Sequence, residues 1–361
     1  MGRKRKSTMP SAKGGKKKRG DGSGTTTHAP LQSTFCSTEE LADLPDVQLA
    51  TSISFKRTTC TIDPDTGIAT LTETEEAEPG LLDVTPLELA TQGRTKLVYG
   101  LTIKDSQYVA KQLINIGKGP VHGGVEPRVA VKYLTADLIR LTRMRSFAGR
   151  FMSEAQSAGA EVAGMYLCCL SQDHPSYNGC TPEFRISDGF LIKVYAPSDP
   201  EDHSEHFGEP AFAAVLKAAY LVEPRRASTA VFKFSGTLGV SNRIDKKSAT
   251  IMAFSHFVLQ ETACQYMFSD IQGTPMTSSK GKDTTIVLFD PMTHTLKGKS
   301  GLGDHGLDGI RTFIEQHQCS PICRAISLCD SQALKVTYDA LKPGAEGSQT
   351  VDTDMESSDD E

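Results

Sequence analysis

The residues best equipped for chemistry lie near the C-terminal end of this chain, in His317-Gln318-Cys319-Ser320-Pro321-Ile322-Cys323. An H-x-C-x₃-C cluster gathers one imidazole and two thiols within seven residues, three of the four ligands a tetrahedral structural zinc needs. The fourth must come from elsewhere, and His256 in "AFSHF", on an apolar helix-forming stretch, is the best candidate. The plainer alternative makes the cysteines core residues and the histidines surface ones. Bound zinc would contribute on the order of 10 kcal/mol to folding. That matters here because this part of the chain lacks tryptophan and offers few other large anchors.

Oxygen ligands come next. "FSDIQG" and "VLFDP" place Asp270, Gln272 and Asp290 at the ends of two apolar stretches. Two acids and an amide carbonyl are hard donors suited to Mg²⁺, and they leave one aspartate to orient a hydroxyl nucleophile. Alternatively each aspartate caps the turn after it, as Asp290-Pro291 suggests. Lys111, inside the apolar strand "YVAKQL", is either an exposed edge residue or a phosphate-pairing lysine above an ATP pocket, as on a comparable strand of conventional protein kinases. The chain has no His-Arg-Asp catalytic loop and no Asp-Phe-Gly triplet, which excludes a conventional kinase. Gly301, Gly303 and Gly306 spell G-x-G-x-x-G, but late in the chain and after the polar segment Lys297–Ser300, where the dinucleotide fingerprint does not fit. A glycine-rich loop remains, whose amides could cradle a phosphate or a peptide.

Positioning these groups requires sheet, then helix, then sheet. Ser52 to Thr74 alternates β-branched and polar residues around Asp63-Pro64-Asp65-Thr66-Gly67, which predicts a hairpin. Strands follow at Lys96–Ile103, Gln107–Leu113, Gly189–Tyr195 and Ala218–Glu223, with an amphipathic helix over Leu134–Phe151 between the two pairs. The C-terminal half predicts a buried helix over Ser248–Gln260, strands at Tyr266–Ile271 and Thr285–Phe289, and a helix over Leu307–His317. The pattern is α+β, and the folded part ends near Leu341.

The chain has 361 residues, 38% hydrophobic and 23% charged, with net charge -5. That is long enough for one large or two medium domains with well-buried cores. The charge is polarised: residues 1–20 hold nine Lys/Arg and no acid, and residues 352–361 hold six Asp/Glu and no base. A basic leader over 1–35 and an acidic tail over 342–361 are too poor in large apolar residues to order themselves and are expected to be disordered. Arg3-Lys4-Arg5-Lys6 and Lys16-Lys17-Lys18-Arg19 fit a bipartite nuclear localisation signal, so residues 3–19 would meet an import receptor, or a nucleic acid as a generic polyanion. Nine cysteines without a signal peptide point to a reducing, intracellular compartment, the nucleus before the cytoplasm. No apolar run is long enough for a membrane span: Phe212–Val222 is interrupted by Lys217. Nothing in the sequence sets an oligomeric state.

"AFSHFVLQET", "MFSDIQG", "LFDPMTHT" and "GLGDHGLDGIRTFIEQHQCSPICRAISL", in that order, resemble the alpha-kinases, atypical protein kinases typified by myosin heavy chain and elongation-factor kinases. The resemblance covers roughly Gly93 to Leu328. It implies a two-lobed atypical protein kinase fold over 85–335, with an N-lobe to about 222, a zinc-stabilised C-lobe from about 223, and residues 36–84 as an N-terminal extension. It also implies a Ser/Thr kinase using ATP, Mg²⁺ and structural Zn²⁺ on a protein substrate. By the same resemblance Asp270 would be the catalytic aspartate, Lys111 and Lys233 would contact phosphates, and Glu223 would stand at the hinge near the adenine and ribose. Gln272 and Asp290 would hold Mg²⁺, while His256, His317, Cys319 and Cys323 would hold zinc, and Gly301, Gly303 and Gly306 belong to a loop associated with peptide binding. Two departures fall in the phosphate shell: Phe289 stands where the family has threonine, and Phe234-Ser235-Gly236 replaces asparagines. Asp137 stands where an acid pairing the lysine would be expected. The alternative is a catalytically weak or inactive kinase-fold scaffold that binds nuclear partners or nucleic acid through its basic leader.

Overall fold

The chain turns first at Asp63, whose Oδ1 accepts from the amides of Asp65 (3.1 Å) and Thr66 (2.7 Å) and from the Thr66 hydroxyl (2.7 Å), while Gly67 takes φ +67°. The short polar side chain and a glycine free to adopt positive φ set this turn. In this computed structural model, residues 50–89, 93, 95–117, 124–163, 165–166, 184–196, 215–239, 245–277 and 284–342 are described. The basic leader, the tail beyond Lys342 and residues 197–210 lie outside the described residues.

Around the turn, β1 (Ala50–Ile62) and β2 (Ala69–Glu73) pair antiparallel. Then come β3 (Glu78–Asp83), β4 (Lys96–Ile103), β5 (Ser106–Leu113), α1 (Pro127–Ser157), β6 (Met165–Tyr166), β7 (Phe184–Ile186), β8 (Phe190–Ala196) and β9 (Val215–Pro224). Seven of these strands form one sheet in the order β2-β1-β3-β4-β5-β9-β8, and β8 pairs back onto β1, with Phe55 opposite Val194. The sheet therefore closes into a ring of six strands with β2 as a flap. Residues 50–83, expected as an extension, supply two of the six. Phe55, Leu101, Ala110, Ile192 and Val222 fill one face of the ring.

The second half holds β10 (Phe232–Lys233), α2 (Lys246–Glu261), β11 (Tyr266–Ser269), β12 (Gln272–Thr277), β13 (Thr284–Phe289), β14 (Met292–Thr295), α3 (Gly306–Gln316), α4 (Pro321–Ala325) and α5 (Ser331–Ala340). β10-β12-β13-β7-β6 form a second sheet, and β11 pairs with β14. The single strand predicted over Tyr266–Ile271 is thus corrected. Asp270 takes φ +48°, which breaks the extended chain and sends β11 and β12 to different sheets.

The first helix also exceeds its predicted span of Leu134–Phe151. Its N-cap is Glu126, whose carboxylate accepts from the Arg128 and Val129 amides (both 2.9 Å), with Pro127 in the first turn. A glutamate cap lacks the usual Ser, Thr, Asp or Asn signature. α1 joins two cores, giving Leu134 and Leu138 to the group beneath the ring and Leu141, Met144 and Phe151 to the C-terminal core. There Phe151 meets Phe254 and Phe257 edge-on at 5.7 and 5.6 Å, and Phe254 stacks on Phe268 at 5.9 Å. Full burial of a phenylalanine contributes about 1.5–3 kcal/mol, so the expectation of few large anchors is wrong: phenylalanines supply them. Among the described residues no helix is long and apolar enough to cross a membrane.

Candidate active site and metal centre

Strand register assembles the oxygen donors. Lys233 of β10 stands opposite Gln272 of β12, which stands opposite Phe289 of β13. Asp270 precedes β12 by two residues and Asp290 follows β13, so both carboxylates fall at the same end of the sheet as Gln272. Asp270 and Asp290 adopt φ +48° and +53°. Their side chains are not turn caps. Asp270 accepts from Lys233 Nζ at 3.1 Å, and Asp290 from Lys96 Nζ at 2.7 Å.

Lys111 is buried, 6% exposed, on β5 between β4 and β9, and so is no edge residue. β5 and β9 pair Val109 with Glu223 and Lys111 with Leu221, which puts Lys111 and Glu223 diagonally on one face. The ammonium bonds Glu223 Oε1, and Arg226 takes Oε2 at 2.6 Å. The helix acid sought for this lysine is accordingly not its partner. Glu223, read as a hinge residue, fills that position. Burial alone would raise the Glu223 carboxyl, but Lys111 and Arg226 outweigh it and hold it down at about 2. Lys111 and Arg226 also lie over the Phe289 ring, at 5.0 and 4.5 Å from its centroid. Phe289 thus fills its departure from the family pattern with two cation–ring contacts.

Asp137 has other partners. It accepts from Lys96 Nζ at 2.5 Å and from Arg140, three residues on. Burial would strip the Lys96 proton, but the charges of Asp137 and Asp290 outweigh it and hold the ammonium on. Burial likewise opposes ionisation of Asp290, and Lys96 and Lys111 overcome it, leaving that carboxyl well below the usual range. Arg140 continues the chain of contacts by donating to the Ser300 carbonyl at 3.0 Å. Sequence reasoning missed Lys96, Arg140 and Arg226. Lys96 begins an apolar strand and so carried the same signal as Lys111, and Arg226 follows Glu223 by one helical-type spacing in "EPRR".

The glycine loop lies against α1 and β14. A Cβ on Gly301 would meet Arg140 Nη1 at 2.2 Å, and one on Gly303 would meet the Met292 sulfur at 2.3 Å; both glycines also have positive φ, +132° and +78°. Asp304 ties the loop together, accepting from the Thr295 and Ser300 amides (3.0 and 2.9 Å) and hydroxyls (2.6 and 2.7 Å) and from the Gly306 amide at 2.9 Å. Its link to the carboxylate cluster runs through Arg140 and Asp137.

The metal-ligand candidates converge. The ligand atoms of His256, His317, Cys319 and Cys323 all lie within 4.8 Å of one another. His256 Nδ1 is 3.0 Å from His317 Nε2, Cys319 Sγ is 3.9 Å from His256 Nδ1, and Cys323 Sγ is 3.7 Å from His317 Nε2. A tetrahedron of Zn–N and Zn–S bonds requires about 3.3 Å between nitrogens and about 3.6 Å between nitrogen and sulfur, so the donor set fits zinc. Burial pushes both imidazoles down to about 4, keeping them neutral and able to ligate near pH 7. Cys329, unassigned by sequence, places its sulfur 3.9 Å from His256 Nε2, on the other side of that ring.

Comparison with known proteins bears on what this arrangement is. The alpha-kinase family model matches residues 91–323. Alpha-protein kinase 1 of Dictyostelium discoideum is 35% identical over 97 residues, 27% of this chain and 6% of that protein. The eukaryotic elongation factor 2 kinase of Rattus norvegicus is 30% identical over 112 residues, 31% of this chain and 14% of that protein. The matched stretches are thus a small part of these relatives. A solved alpha kinase from Entamoeba histolytica superposes with a TM-score of 0.52 at 16% identity, over 78% of this chain and 92% of that one, a likeness of fold.

Proposed function

The chain belongs to the alpha-kinase family, and from that premise we propose that it is an ATP-dependent protein serine/threonine kinase with Mg²⁺ at its reacting centre and a structural zinc. The observation carrying this reading is the register that brings Asp270, Gln272 and Asp290 together where Lys96, Lys111 and Lys233 converge. Phosphoryl transfer asks for positioning and for neutralised charge more than for covalent chemistry. Three ammonium groups around three oxygen donors meet both needs.

Gln272 and Asp290 offer the hard oxygens that would hold Mg²⁺, which when bound supplies charge neutralisation on the phosphates. Lys111 and Lys233 would contact phosphate oxygens. Lys96, held by Asp137, keeps Asp290 charge-balanced. Asp270 would orient the substrate hydroxyl and accept its proton as the oxygen attacks the γ-phosphorus and the bond to the ADP oxygen breaks. His256, His317, Cys319 and Cys323 would hold zinc behind α3, where it ties α4 to α2.

Labelled ATP with a panel of acidic and basic test proteins checks the reading. Wild type is expected to label serine or threonine, and Asp270→Ala to lose more than about a hundredfold in rate while binding nucleotide as before. Equal labelling by the two proteins would sink the assignment.

A further inference from the structure

Beside the glycine loop, a cleft of about 890 Å³ opens between α1, the C-terminal end of α2 and the β1–β2 turn. Its basic wall is Arg143 on α1 with Lys297 and Lys299 on the segment that runs into Gly301. Among the described residues these three cations have no carboxylate partner; Arg143 lies over the Tyr266 ring at 5.6 Å, and both lysines are exposed. The other charges are accounted for. Arg150 is paired with Glu261, Asp63 is bonded within its own turn, and Asp65 is exposed on the opposite rim. None of the cations takes part in the carboxylate cluster. The wall is nevertheless continuous with it, because Ser300 lines the cleft and its carbonyl accepts from Arg140, the partner of Asp137.

We infer that this wall docks the protein substrate and selects acidic residues close to its phosphoacceptor; the inference deepens the kinase reading and rests on it. Three unneutralised cations beside a loop that leads to the reacting centre complement a peptide carrying carboxylates. α1 supplies the spacing. From Asp137, one contact from Asp290 through Lys96, the helix rises about 9 Å to Arg143. An extended peptide covers about 3.3 Å per residue, so the nearest acidic positions fall about three residues from the phosphoacceptor.

Two threonine peptides that differ only at those positions, with aspartates in one and lysines in the other, test this. Wild type is expected to show a KM about tenfold lower for the aspartate peptide, the combined effect of three exposed charge pairs, with the difference shrinking at high salt. Lys297→Glu with Lys299→Glu should reverse the preference and leave the KM for ATP unchanged. Equal KM values, or a wild-type preference for lysine that would put the peptide against Asp63 and Asp65, overturn the inference. Should the double variant fail to fold, the wild-type peptide pair and its salt dependence still decide. Fluorescence anisotropy of the labelled aspartate peptide separates the two readings. Salt-sensitive binding without transfer sinks the kinase assignment and leaves the docking wall standing, whereas transfer to both peptides with equal KM does the reverse.

Discussion

Glu223, like Asp137, is a buried carboxylate on which two cations converge. Fully buried, it takes one cation on each oxygen, and both cations also share the face of Phe289. A carboxyl held at about 2 instead of 4.5 contributes about 3 kcal/mol of stability. Its folded value is depressed, so that stability is complete above pH 4.5 and is lost as the pH falls toward 2. Glu223→Gln leaves two buried cations short of a counter-charge and should cost about 3–5 kcal/mol near neutrality. Urea titrations at stepped pH are expected to show that loss and a flatter pH dependence than wild type below pH 4.5; parallel curves would show that the carboxylate is not what is being protonated. The lysine was legible as an unusual residue in an apolar strand, and the glutamate only through the family resemblance, as a hinge residue. Their pairing was not, because it depends on the register of two strands far apart in sequence.

At the level of elements, α3 shows what a sequence pattern conceals. Its apolar face, Ile310, Phe313 and Ile314, was readable from helical spacing. Gly309 was not readable as a constraint, since a helix interior normally gains about 1 kcal/mol when glycine becomes alanine. Here a Cβ would lie 2.3 Å from the His294 ring, which is pinned by the Thr237 carbonyl (2.7 Å) and the His305 amide (3.1 Å). Gly309→Ala should therefore destabilise by about 1–3 kcal/mol, seen as a lower Tm; a rise in Tm would mean that the ring moves freely. β12 escaped notice for a related reason: Gly273 and Pro275 lie within it, and both weaken a strand pattern. Gly273 is required because a Cβ there would meet Ile286 Cγ2 at 2.4 Å on the neighbouring strand. The two-residue β10 and the one-turn α4 are too short to show any period.

Across the whole molecule, the phenylalanine core holds the C-terminal half, and a zinc bound at the proposed cluster would add to that stabilisation. His256 lies on α2 among Phe254, Phe257 and Val258, so α2 stays anchored when the metal is removed. The remaining ligands lie on the stretch from His317 to Cys323, which has less apolar cover. One zinc per chain is expected, and chelation should cost well short of the roughly 10 kcal/mol seen where metal alone drives folding. Hydrogen exchange should accelerate first across α4 and α5 with α2 still protected. Uniform loss of protection, or a folded protein purified without zinc, would contradict this. The α+β order of elements was legible because each long segment has a clear period, whereas the place of residues 50–83 was not. Hydrophobic alternation shows that a strand exists but not which strand it joins, and the family model also begins after them, at residue 91.

A closed ring of strands has no stable partial version. β1 is among the first strands made, yet its partner in closure, β8, arrives only at Phe190–Ala196, after α1 has been synthesised. Bringing Phe55 to Val194 carries the loop-closure entropy of everything between them before any closing contact forms. Four of the six ring pairings join strands close in sequence, so the two distant ones, β5 with β9 and β1 with β8, are expected to form last. Until β8 docks, part of β1 would present an open edge, so self-association is expected to compete with closure in the nascent chain.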